Sequence, residues 1–215
     1  MGATQGEGPA PPEKEGVEKM GMTMRAVMIA AAMMLTASAA PAYELDPNGT
    51  FASRVISIVE PPVPAPETVI DMAGGERTSI DAHPGKVRLV TMWATWCHVC
   101  EYEMPELAKL AAAYEGTDLM VMPVSVDEPP ALTKIEKHLK SHDLTIFPVM
   151  HDRNYALAGR IGLVGTPTTI IVDKYEQVVA AFQGQAPWGD PETRAYLDAL
   201  LAAGDAESSR LLLAQ

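Results

Sequence analysis

Residues 87–93 (VRLVTMW) form a nearly continuous apolar run rich in β-branched side chains, and CHVC follows only three residues later, at Cys97–Cys100. A strand apolar on both faces must lie inside a covered sheet, not at its rim. Residues 101–114 then place Met104, Leu107, Leu110 and Ala111 at helical spacing. A buried strand that turns at once into a helix restricts the chain to α/β architectures.

The rest of the chain fits that class. Residues 69–72 and 77–80, joined through Gly74 and Gly75, read as a hairpin. Residues 119–126 are a second buried strand, and 131–142 an amphipathic, lysine-rich helix. Short elements follow: a strand at 146–150, a helix at 155–161 and a strand at 168–172. Residues 178–182 read as one arm of an edge hairpin, and 191–201 as a closing helix. The expectation is a mixed central sheet flanked by helices, with an N-terminal hairpin and a central β-α insertion.

Only residues 67–203 carry this pattern. Residues 1–19 are rich in Gly, Pro and Glu without apolar periodicity, which predicts disorder or a start at Met20, Met22 or Met24. From Arg25 a positive residue, an apolar stretch and a small-residue patch ending at Ala42 match a secretory signal peptide. An uncleaved membrane anchor is the alternative. Residues 43–66 hold Pro61, Pro62, Pro64 and Pro66 and read as a spacer that partly packs. Residues 204–215 read as a tail. Export places the protein in the periplasm, soluble or tethered, where disulfides persist. A net charge of -12 argues against nucleic-acid binding.

The chemistry concentrates at the two cysteines, the chain's only ones. At a helix N-terminus, Cys97 would have its thiolate favoured by the dipole and the free N–H groups. Cys100, one turn on, returns to the same side and can close a disulfide. A stability staple is the weaker reading, because so short a loop restricts the unfolded chain by less than about 2 kcal/mol. A metal clip would need two further ligands.

The segment WATWCHVCEYEMP, residues 93–105, resembles the active site of exported thioredoxin-like proteins of the TlpA/ResA group. Pro105 stands five residues after Cys100, as in their kinked helix, and GTPTT at 165–169 matches their cis-proline loop. GQAPW at 184–188 resembles the TlpA branch. The resemblance implies a thioredoxin-like fold and a thiol–disulfide oxidoreductase without a cofactor. It implies Cys97 as the attacking thiolate, Cys100 as the resolving thiol, and Pro167 as a cis residue opposite them. It further implies Glu103 as a carboxylate near the disulfide, the alternative being an exposed first-turn Glu. Trp96, His98, Val99 and Thr166 would meet the substrate. Partners would be protein disulfides in respiratory cytochrome or copper-centre assembly, with electrons from a membrane thiol donor. A monomer is the default.

Some residues depart from the group. Val99 stands where most relatives have proline, and Thr91 where thioredoxins bury an aspartate. His98 would either stabilise the thiolate when protonated or sit solvated at the surface. Trp93 reads as core, and His138, His142 and His151 as surface residues. Met92, Met120 and Met122 read as core rather than copper ligands. Two other functions stay open: a Cu(I) metallochaperone using Cys97, Cys100 and His98, and an oxidant on the same fold.

Overall fold

A computed structural model describes residues 57–203. Its strands are β1 Ser57–Pro64, β2 Ile70–Met72, β3 Arg77–Thr78, β4 Val87–Trp93, β5 Leu119–Ser125, β6 Met150–His151, β7 Thr168–Val172 and β8 Gln177–Gln183. Its α-helices are α1 His98–Ala113, α2 Leu132–Ser141, α3 Ala156–Arg160 and α4 Pro191–Ala202. The signal and tail assignments lie outside the described residues.

One mixed sheet runs β1-β8-β7-β4-β5-β6-β2-β3. The apolar run at 87–93 is β4, and every one of its residues is buried. It pairs in parallel with β5 and antiparallel with β7. Even Arg88 is fully buried there. Its guanidinium donates to the Ile80 and Asp173 carbonyls at 2.7 and 2.8 Å and to the Glu176 carboxylate at 2.6 Å. That set fastens the β7–β8 turn and the segment after β3 to the N-terminal end of β4. The opposite end of β4 feeds the cysteines.

Two strand expectations change. Residues 178–182 do not sit at the edge, because β1 pairs antiparallel with β8 and covers it. The spacer thus enters the sheet from Ser57. Its register slips between Ile58 and Val63, a stretch that contains Pro61 and Pro62. Proline has no N–H for a ladder, so such a strand is tolerated only at an edge. Of residues 146–150 only Met150 joins a strand. The Phe147 N–H closes a turn onto the Leu144 carbonyl, and Pro148 has no N–H to give.

Candidate active site

Cys97 is the N-cap of α1, and the two cysteines are disulfide-bonded. The Cys100 N–H points at both the Cys97 carbonyl, at 3.0 Å, and Cys97 Sγ, at 3.2 Å. A helix-end donor therefore faces the sulfur expected to carry negative charge after reduction. Cys97 is 6% exposed and Cys100 1%, so Cys97 is the sulfur nearer to solvent. Pro105 lies inside α1, where its missing N–H leaves the Glu101 carbonyl without its helical donor.

The loop before Cys97 is held by a residue that sequence reading passed over. Asp127, two residues past β5, accepts from the Thr95 N–H at 2.9 Å and the Thr95 hydroxyl at 2.6 Å. Ser125 Oγ and Lys134 Nζ donate to the same carboxylate at 2.8 and 2.6 Å. Burial pushes the Asp127 carboxyl up, but these hydrogen bonds outweigh it and hold it below the usual carboxylate range. The only sequence signal was an acidic residue closing a buried strand.

The register places the proline loop against this turn. Met92 pairs with Thr168, so residues 165–167 leave the sheet at the end where Cys97 begins its helix. The Thr166–Pro167 peptide is cis. Pro167 is buried, and its carbonyl accepts from the Gly184 N–H at 2.8 Å. Thr166 and Trp96 share an open groove of about 600 Å³ with Leu163, Val164 and the glycines between them and α3. Its rim is apolar: Trp96 is 63% and Val164 82% exposed. Val99 and Tyr102 are also exposed near the cysteines.

Glu103 is not the exposed first-turn residue of the alternative reading. It is 1% exposed. Its Oε1 accepts from Trp188 Nε1 at 2.7 Å and from the Ala186 N–H at 3.2 Å. Its Oε2 is buried with no hydrogen-bond partner among the described residues. Burial pushes the Glu103 carboxyl up, and the bonds from Trp188 and Ala186 offset this only in part. Cys100 and Glu103 are both buried at i and i+3 of α1, the spacing of helical neighbours. The GQAPW stretch thus supplies the donors for the carboxylate next along the helix from Cys100.

His98 is solvated. Its ring meets Glu101 Oε2 at 3.2 Å and the Tyr102 hydroxyl at 3.5 Å. Trp93 is core, as expected, with His138 against its ring at 5.4 Å. His151 is a correction: it is 3% exposed, and its Nε2 donates to the Asp127 carbonyl at 2.8 Å. It sits on β6 beside β5, where a side chain turned inward has no route to water. Met92 and Met122 are fully buried. In the described residues no three His, Cys, Asp or Glu side chains cluster as a metal site.

A buried strand delivering a cysteine pair to a helix N-terminus, with a cis-proline loop alongside, defines a thioredoxin-like protein. The Redoxin family model matches residues 61–201, and the chain belongs to that family. The thiol-disulfide oxidoreductase ResA of Geobacillus thermodenitrificans is 31% identical over 120 residues, covering 56% of this chain and 67% of its own. ResA of Bacillus thuringiensis subsp. konkukian is 28% identical over 121 residues, covering 56% and 68%. A thioredoxin-family thiol:disulfide interchange protein of Chlorobium tepidum superposes with a TM-score of 0.55 at 24% identity, over 65% of this chain and 97% of its own. StoA of Bacillus subtilis gives 0.52 at 20%, over 63% and 99%. These two structures support the fold. The protein is a thiol–disulfide oxidoreductase of the TlpA/ResA type.

Proposed function

We propose that the protein is an exported reductant of disulfides in partner proteins, working through Cys97 and resolved by Cys100. The observation that supports it most is the position of Cys97, which caps α1 with the Cys100 N–H on its sulfur and is the more exposed of the pair. The Cys97 thiolate attacks one sulfur of the partner's disulfide. A bond forms between them, and the partner's other sulfur leaves as a thiolate. The Cys100 thiolate then attacks Cys97 Sγ and releases the partner's second thiol. Two electrons have passed to the partner, and Cys97–Cys100 is a disulfide again. A membrane thiol donor restores the dithiol.

Glu103, buried one turn beyond Cys100, takes or returns the Cys100 proton in this reading, which its helical spacing from Cys100 and its burial support. Trp96, Val99 and Thr166 form the contact surface around the cysteines, with Pro167 shaping the loop beneath it. The family resemblance favours partners in respiratory cytochrome or copper-centre assembly, met in the periplasm by a soluble or tethered chain.

Full-length Cys97→Ser should lose disulfide exchange with a disulfide-bonded protein, while Cys100→Ser should accumulate mixed disulfides. Full exchange by Cys97→Ser would end this reading. The reduction potential sets the direction. A value near or below about -230 mV fits a reductant, whereas one near about -120 mV makes the protein a disulfide-forming oxidant.

A further inference from the structure

The apolar groove beside the cysteines holds a glycine that the fold itself does not need. Gly159 lies within α3, is exposed, and lines the groove. A glycine inside a helix is less favourable than an alanine, because it loses more backbone freedom on folding. Two structural reasons can keep one there: a left-handed φ, or an atom too close for a Cβ. Neither holds for Gly159. Its φ is outside the left-handed region, and beyond its own helix backbone and chain neighbours a Cβ built on it would meet no atom within 4 Å. Gly162 is the contrast, since it follows α3 at a φ of 65° that glycine adopts freely.

Tyr155, the N-cap of α3, shows the opposite anomaly. It holds φ 55° and ψ 35°, a conformation that a bulky side chain seldom adopts. Its hydroxyl donates to the Glu128 carboxylate at 2.9 Å, and it lines the same groove. The start of α3 thus carries a strained aromatic wall, while its next turn is bare backbone.

The space left over Gly159 is continuous with the redox site. Trp96 is bonded to Cys97 and Thr166 to Pro167, and both belong to the lining, so a chain that brings a sulfur to Cys97 passes along the groove. Val126, Ala158, Leu163 and Val164 make the other walls apolar, and no described residue lining the groove carries a charge. A charged side chain entering there would lose hydration without meeting a counter-charge in the lining, whereas an apolar one gains by burial.

We propose that the groove takes an apolar side chain next to the target cysteine of a partner protein, and that Gly159 is the residue that leaves room for it. This rests on the thiol–disulfide reading above and adds a specificity determinant to it.

The test uses pre-reduced full-length protein and two disulfide-dimer peptides. They differ only in carrying Leu or Ser at the three positions on each side of the cysteine. Released peptide thiol is measured by chromatography after acid quenching. Each rate is divided by the rate with dithiothreitol, which removes the intrinsic reactivity of the peptide. The wild type should favour the Leu peptide by about three- to tenfold. Gly159→Leu, which fills the space, should bring that ratio toward one. Gly159→Ala should lower it less, and should raise the thermal midpoint of the oxidised protein by about 1–4 °C. Equal rates with wild type, or a Leu preference that survives Gly159→Leu, overturn the proposal. A Gly159→Ala midpoint that does not rise means that the fold itself needs the glycine, and overturns it too. A wild-type dimer in sedimentation that Gly159→Leu dissociates, without any peptide preference, overturns it in favour of a second copy as the occupant. If neither peptide is reduced, the thiol–disulfide reading itself has failed.

Discussion

Trp188→Phe tests whether Glu103 is set by the loop after β8. The substitution keeps an aromatic ring beside Phe182, whose centroid lies 5.8 Å from that of Trp188. It deletes the Nε1 donor that reaches Glu103 Oε1 at 2.7 Å. The Ala186 N–H at 3.2 Å is then the remaining donor among the described residues. A hydrogen bond to an ionised acceptor contributes about 1.5–3 kcal/mol, against about 0.5–1.5 for a neutral one. The Glu103 carboxyl is already raised, so the folded state holds its proton more tightly than the unfolded chain does. Such a group contributes stability below its unfolded pKa, and that contribution is lost as pH rises through the folded pKa. Trp188→Phe raises the folded value further. The variant should therefore lose more stability at pH 8 than at pH 4, by about 1 kcal/mol or somewhat more. Urea unfolding of the oxidised protein at the two pH values measures the difference. Carbon NMR of labelled Glu103 follows the titration directly, and the pH profile of Cys100 alkylation reports whether the shift reaches the thiol. An unchanged Glu103 titration in a folded Trp188→Phe protein would refute the coupling.

Two other residues give independent outcomes. Arg88→Ala should cost about 3–5 kcal/mol in urea unfolding, because it strands the Ile80 and Asp173 carbonyls and the Glu176 carboxylate at the buried end of β4. A loss under about 1 kcal/mol would show that the guanidinium contributes little there. Asp127→Asn keeps the shape but removes a carboxylate whose folded pKa is depressed. That kind of group stabilises above its unfolded pKa and is lost as pH falls through the folded one. The variant should thus be less stable than wild type at pH 7, and the gap should narrow toward pH 3. Its exchange rate should fall as well, since Thr95 just before Cys97 loses an anionic anchor; a gap constant with pH would refute the charge argument.

The site was legible where its chemistry is local. A cysteine at the junction of a buried strand and a helix is visible in the string, because strand burial, helix period and the CHVC spacing are all short-range patterns. The proline loop was legible only through the resemblance carried by GTPTT, because nothing in the local string marks the Thr166–Pro167 peptide as cis. What stayed hidden depends on pairs far apart in the chain. Asp127 reaches back 32 residues to Thr95, and Trp188 reaches back 85 to Glu103. No periodicity encodes such contacts; the sheet order does, by setting β5 and β7 on either side of β4. His151 was misplaced for the same reason. A two-residue strand is too short to show an inward side, and only its pairing with β5 turns the imidazole toward the Asp127 carbonyl. The prolines of β1 misled in the opposite way. They signal unpaired chain in general, yet at a sheet edge their missing N–H groups face no partner, so the strand forms regardless. The redox pair is thus written locally, and the groups that tune and hold it are written in the topology.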